Sequence, residues 1–313
     1  MQNGYFELQY VFSHYIIRDV IYQMQLKENL KKIHLQVAKT IENVYKENIE
    51  KWYEDLIHHY KEAGEIQKAR YYMEKAAEYF SEHNFKKAYL YLNELLKEEK
   101  DERKKLKYLK ELAYLTQSLY TLEKSLEIYK KVEKLAKKLK EEETEIHSKL
   151  YICWISVLMD IKHPKEILKE LENLLKRSNK IGYNEGEVMI YNAMGMISSD
   201  FLDDYKKADK FFKKALEKAE EMKDKEKREF RKLMTLNNLA LNLFFMKKFG
   251  EALKIFRKAE NLAKSRNEEE MISYISLNMS LIYQTLGNLE DAKKCIESSL
   301  QIRRKLFDKS GEL

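Results

Sequence analysis

One small motif recurs along this chain: an alanine, a bulky apolar residue four positions on, and a small residue three further. It reads Ala208-Phe212-Ala215, Ala252-Phe256-Ala259 and, more loosely, Ala292-Ile296-Ser299. The anchors repeat at a period of roughly 40–44 residues, a size that marks helical hairpins stacked into a solenoid. Each hairpin buries its apolar face only against its neighbours, so the array grows in one dimension. Such an array is a surface for holding something rather than a place for chemistry.

The residues around the motif complete the hairpins. Leu236, Leu239, Ala240 and Leu243 follow a 3.6-residue period and line one helix face. Lys247–Gly250 breaks the pattern, and Ala252, Ile255, Phe256, Ala259 and Leu262 restart it. Small residues at Ala240, Ala252 and Ala259 let two backbones approach, and Phe256 fills the space between hairpins. The next unit uses Met279, Ser280 and Tyr283, then a turn at Gly287-Asn288. The preceding unit uses Tyr191, Met194 and Gly195, with a turn over 199–205. With one proline and eight glycines in 313 residues, the chain lacks the turn residues of a β-sandwich or a doubly wound sheet.

These residues resemble the tetratricopeptide repeat: small residues packed between two helices, an aromatic one turn on, and another small residue after it. The resemblance implies an all-α, right-handed superhelix of about six hairpins. The family period is 34. The longer period here implies longer helices, as in the branch typified by kinesin light chain and bacterial peptide-sensing regulators. Upstream, Ser125-Tyr129-Val132 and Ile167-Leu171-Leu174 keep the spacing but not the small residues. Ala69-Met73-Ala76 and Ala88-Leu92-Leu95 lie only 19 apart, so the helix over 67–82 is expected to serve two hairpins.

The segment 1–45 differs. Phe6, Leu8, Tyr10 and Phe12 alternate with Glu7, Gln9 and Val11, which predicts a short strand. A helix is expected next, capped by Ser13, with Ile16, Ile17, Val20, Ile21 and Met24 on its apolar face. Another runs from about Lys27 to Tyr45. The residues Phe12, His14, Arg18-Asp19, Tyr22, His34, Ala38, Ile41-Glu42 and Tyr45 resemble a segment of bacterial STAND-type signalling ATPases and ATPase-fused adenylate cyclases. Leu56, His59-Tyr60, Ala63-Gly64, Lys68-Ala69, Tyr72 and Ala76 resemble the first repeat of the same proteins. The resemblance implies that 1–45 closes a winged-helix-like module and 46–313 forms the solenoid. The chain is then expected to be the regulatory C-terminal part of a larger signalling protein.

Composition narrows the chemistry. The net charge of +7 comes from 59 basic and 52 acidic residues, interleaved as in 206–232, which fits solvated helix faces better than a nucleic-acid footprint. Cys153 and Cys295 sit far apart within apolar helical patterns and have no metal spacing. No phosphate loop, H-E-x-x-H or nucleophile motif occurs. His58 and His59 are expected about 100° apart on one helix, unable to share a metal unaided. No catalytic residue, cofactor or metal is expected. No apolar run comes near the length of a membrane span and no signal peptide is evident, so a cytoplasmic protein away from membranes is expected.

A groove is the better candidate. The tetratricopeptide resemblance implies a concave wall of first helices whose polar residues hold peptides or small ligands. Asn192, Asn237, Asn238 and Asn278 lie on successive first helices, where each amide can both donate and accept. Bridging between neighbouring helices is the alternative role for them. Phe244 and Phe245 follow on the same helix, one expected to pack and the other to floor a pocket. Two further readings stay open: a self-associating scaffold joined through the last helix (Leu300, Ile302, Leu306, Phe307), and, third, a nucleic-acid-binding solenoid.

Overall fold

The computed structural model describes Tyr22 and residues 26–119 and 121–310, with backbone alone at 118–119 and 306–310. The strand expected over 6–12, the Ser13-capped helix after it, and the side chains of Leu306 and Phe307 lie outside the described residues. Among the described residues every element is helical: fourteen α-helices and one 3-10 helix. The chain divides into two compact units, Met1–Glu82 with Lys86–Leu95, and His83–Phe85 with Leu96–Leu313.

In the first unit, α1 (Lys27–Val44) buries one stripe, His34, Ala38 and Ile41. A 3-10 helix (Lys46–Trp52) leads into α2 (Tyr53–Ala63), which stops at Gly64. Gly64 has φ of 81°, a left-handed conformation that only glycine adopts without strain. The Glu65 amide then donates to the Tyr60 carbonyl at 2.9 Å, which satisfies the helix end. Next come α3 (Ile66–His83) and α4 (Phe85–Glu98), with Ala69, Tyr72, Met73 and Ala76 buried on the one and Ala88, Leu92 and Leu95 on the other. Polar ties cross between these helices. Glu42 on α1 accepts from Tyr72 (2.5 Å) and Lys68 (3.2 Å) on α3. Glu54 on α2 accepts from Lys87 (2.6 Å) and Tyr91 (3.1 Å) on α4. The rings of Tyr60 and Tyr72 stack at 5.8 Å. Helix α3 thus meets both α2 and α4, where its Phe80 stacks on Tyr91 at 6.1 Å.

The second unit is a run of hairpins. Its helices are α5 (Glu102–Leu119), α6 (Leu122–Leu139), α7 (Glu142–Leu158), α8 (Pro164–Lys180), α9 (Asn184–Asp200), α10 (Tyr205–Glu220), α11 (Lys225–Phe245), α12 (Phe249–Ser265), α13 (Glu269–Thr285) and α14 (Leu289–Ser310). Consecutive helices pack, and α7, α9, α11 and α13 also touch one another in sequence. These first helices therefore form a continuous wall. The repeated motif falls on the second helices: Ala208, Phe212, Ala215, Ala252, Phe256 and Ala259 are essentially inaccessible. The degenerate upstream copies, Ser125-Tyr129-Val132 on α6 and Ile167-Leu171-Leu174 on α8, are buried too. Gly195 shows why small residues are needed. A Cβ there would meet the Phe212 ring at 2.5 Å, inside van der Waals contact. The ring occupies the space that glycine leaves open, so α9 and α10 lie close.

The two helix classes differ in how they bury residues. Helix α10 buries a single stripe, Ala208, Phe212, Ala215 and Ala219. Helix α9 buries ten residues, among them the whole run Gly186–Ile190. Helix α9 therefore buries much more than one stripe. The reason is geometric: α9 meets α8, α10, α7 and α11, so little of its circumference faces water.

Candidate functional site

The wall of first helices carries a cleft of about 260 Å³. Tyr151 and Trp154 from α7, Met189, Asn192 and Met196 from α9, and Arg231, Met234 and Asn238 from α11 line it. The floor is apolar, and amides and a guanidinium are the polar groups set into it. That is the composition of a site that takes an apolar group and fixes its orientation by a few hydrogen bonds.

The four asparagines form one relay. The Asn278 amide donates to Asn237 at 3.0 Å, Asn237 to Asn238 at 3.3 Å, and Asn238 to Asn192 at 3.2 Å. Three consecutive first helices are joined this way, and all four side chains are half-buried. Bridging and ligand contact are compatible here. Each amide has two N–H donors and two acceptor lone pairs, so one bridging bond each way leaves capacity for a ligand. Of the four, Asn192 and Asn238 line the cleft.

Phe244 and Phe245 are not among its lining residues. Phe244 packs against Phe249 at 5.8 Å, on the hairpin core, and Phe245 stacks on Tyr205 at 5.7 Å with about half its surface exposed. The lining residues that sequence reasoning missed are Tyr151, Trp154, Met189, Met196, Arg231 and Met234. Tyr151 and Trp154 sit three apart, as do Met189 and Asn192, and that shared helix face was the available signal. Asn242, one turn after Asn238, has a different job: it is buried and donates to the Tyr205 carbonyl at 3.0 Å, tying α11 to the start of α10.

Charge at one side of the cleft is fixed. Arg231 donates from Nε and Nη2 to one oxygen of Glu185 at 3.0 and 2.7 Å, and Lys227 lies 3.3 Å from the other oxygen. Burial alone would raise the Glu185 carboxyl, but the bonds and charge of Arg231, with Lys227, outweigh it and hold it low. Behind Tyr151, the His147 ring packs at 4.9 Å. Burial, with Arg231 nearby, pushes its pKa down to about 4, so it is neutral near pH 7. The Thr235 hydroxyl donates to the Arg231 carbonyl at 2.9 Å, an ordinary helix contact.

Comparison with known proteins agrees with this architecture. Residues 190–228 and 273–306 match one tetratricopeptide-repeat model and residues 233–259 another. The C-terminal part of the chain thus carries tetratricopeptide repeats on an all-α hairpin solenoid. No curated protein matches the sequence. Among solved structures, a Rap protein complexed with competence and sporulation factor has a TM-score of 0.58 at 15% identity, covering 94% of this chain and 92% of that one. NprR in complex with its cognate peptide NprX has a TM-score of 0.57 at 18% identity, covering 90% of this chain and 82% of that one. Aspartyl phosphate phosphatase F from Bacillus subtilis has a TM-score of 0.59 at 12% identity, covering 81% of this chain and 64% of that one. At these identities the likeness is one of fold. No helix among the described residues is long and apolar enough to cross a membrane.

Proposed function

We propose that this protein is a non-catalytic tetratricopeptide-repeat module that binds a peptide segment along the wall formed by α7, α9, α11 and α13. The observation that carries this reading is the asparagine relay beside an apolar cleft. Amides spaced along successive helices suit the repeating donors and acceptors of an extended peptide backbone. The Tyr151, Trp154 and Met189 floor suits one apolar side chain of that peptide, and Arg231 stands where a carboxylate or carbonyl can approach. One of the similar structures, NprR with its cognate peptide NprX, is a complex of this kind, which supports the reading by analogy of fold.

The test uses Trp154 as a reporter. Pools of short peptides titrated into the full chain should change its emission, and Asn238→Ala should weaken the response at least tenfold while leaving the fold intact. A pool series that leaves wild-type emission flat at millimolar peptide sinks the proposal.

In the fuller form of this reading, 1–45 belongs to a winged-helix-like module, 46–313 is the solenoid, and peptide binding biases a signalling ATPase or cyclase-like partner domain in the cytoplasm. The resemblance carried by residues from Phe12 to Ala76 supports it. Coupling requires that the peptide distinguish two states of that domain. Unchanged ATP turnover at saturating peptide would remove the regulatory part and leave the binding part standing.

A scaffold that self-associates through α14 is the second reading. It is favoured by the exposure of Leu289, Ile296 and Leu300 on that helix. Light scattering separates the two, since a monomer at micromolar concentration counts against the scaffold.

A further inference from the structure

Three histidines that lie apart in sequence meet in the first unit. His34 comes from α1, and His58 and His59 from α2. One ring nitrogen of each lies within 4.8 Å of the others. His34 Nδ1 faces His59 Nδ1 at 2.8 Å, and the His34 ring lies 5.6 Å from that of His58. The angle between His58 and His59 on their helix, which had argued against a shared ion, is offset by His34. Its ring stands close to both and completes the cluster.

We propose that His34, His58 and His59 bind a borderline divalent transition-metal ion, zinc(II) being the probe of choice. Three features support it. Imidazole is the preferred nitrogen ligand of such ions, and three histidines with one open position make a complete protein set for zinc. The facing Nδ1 atoms can keep so short a contact only if one carries the proton between them. An ion takes the place of that proton, and the two nitrogens open by about half an ångström to reach the separation of two tetrahedral ligands with bonds of about 2.0–2.1 Å. The other nitrogen of His34, Nε2, lies 2.8 Å from the Tyr22 hydroxyl. That is the outer contact that orients a metal-binding imidazole and sets which nitrogen is free.

The surroundings are suited to the charge. His34 is buried, His59 half-buried and His58 exposed, so the site is walled on one side and open to an arriving ion on the other. Burial and the neighbouring imidazoles hold His34 and His59 below the ordinary histidine value, which keeps lone pairs available near neutral pH. Glu62 and Asp55, whose charges reach His34 and His59 respectively, flank the pair on α2. Their negative charges can help balance the ion. The site would join α1 to α2, so its occupancy would brace the first unit independently of the cleft.

The experiment is a zinc titration of the full metal-free chain against a chromogenic chelator, repeated with cobalt(II) for its visible spectrum. The expected result is one zinc per chain, and an absorption band of four-coordinate cobalt. His58→Ala removes an exposed ligand and leaves the buried contacts in place, and should weaken zinc at least tenfold with unchanged helicity. His59→Gln keeps the volume and should do the same, which guards against misfolding as the cause. Zinc titrations that coincide for wild type and His58→Ala overturn the proposal, as does an absence of stoichiometric binding to the wild type. Peptide binding in the cleft bears on neither outcome.

Discussion

The early hairpins and the late ones use different chemistry for the same architecture. Between α9 and α14 the helices approach because Gly195, Ala208, Ala240, Ala252 and Ala259 have little or no side chain, and Phe212 and Phe256 fill what is left. Between α1 and α4 the contacts are longer and partly polar: Tyr60 on Tyr72, Glu42 under Tyr72 and Lys68, Glu54 under Lys87 and Tyr91. The first kind of contact depends on volume, the second on charge and hydrogen bonding. At these seams the late hairpins should therefore respond more to changes of size, and the early ones more to changes of charge.

The strongest break in that contrast is Phe256→Ala. The ring is wholly buried between hairpins, so its removal leaves a cavity and should cost about 3–5 kcal/mol, read by urea unfolding. A loss below about 1 kcal/mol would mean that α11 and α12 close over the gap and that volume is not what holds them.

A smaller effect is expected at Glu42. Burial alone would raise its carboxyl, but bonds from Tyr72, Tyr60 and Lys68 hold it below the ordinary value. Glu42→Gln should cost about 1–2 kcal/mol at pH 7, since hydrogen bonds between charged groups weaken and Tyr72 keeps a poorer acceptor. The sign with pH follows from the lowered value. The contribution is present above the unfolded-state pKa of 4.5 and is lost as pH falls through the folded one. Protection from hydrogen exchange across 27–83, after correction for the intrinsic pH dependence of exchange, should therefore fall in acid for the wild type, and less so for the variant. Equal acid sensitivity in both would assign the ties to another group.

The smallest test concerns a turn. Lys247 has φ of 60°, and Gly287, at the matching place in the next repeat, has φ of 74°. The two turns close alike, with Lys248 donating to the Leu243 carbonyl and Asn288 to that of Tyr283, both at 2.9 Å. Lys247→Gly should gain about 0.5 kcal/mol, because relief of left-handed strain slightly exceeds the added freedom of the unfolded chain. A melting temperature that falls would show that the lysine stem packs in a way glycine cannot replace.

The histidine cluster and the asparagine relay sharpen the same comparison. The late unit puts polar groups on one wall at a fixed repeat, and the period together with the tetratricopeptide resemblance singled out Asn192, Asn237, Asn238 and Asn278 as neighbours in kind. The early unit gathers His34, His58 and His59 from two helices with no repeat to announce them. Reading His58 and His59 along one helix stopped at the angle between them, since the third ring belongs to another helix.

From sequence, the long and steady repeat, the Ala-Phe-Ala triplets and the scarcity of glycine and proline were enough for helical hairpins and for which residues fill their seams. Those signals are local, because a helix writes its buried face into its own 3.6-residue period and a repeat writes its partner into the next copy. Which surplus apolar residues are left to line a cleft was not local. Trp154, Met189 and Met234 look like core residues in any one helix, and one of Phe244 and Phe245 looks like a groove residue. Their assignment depends on how far α7, α9 and α11 stand apart. That spacing is the outcome of packing among many helices at once, and it exists only in the assembled tertiary structure.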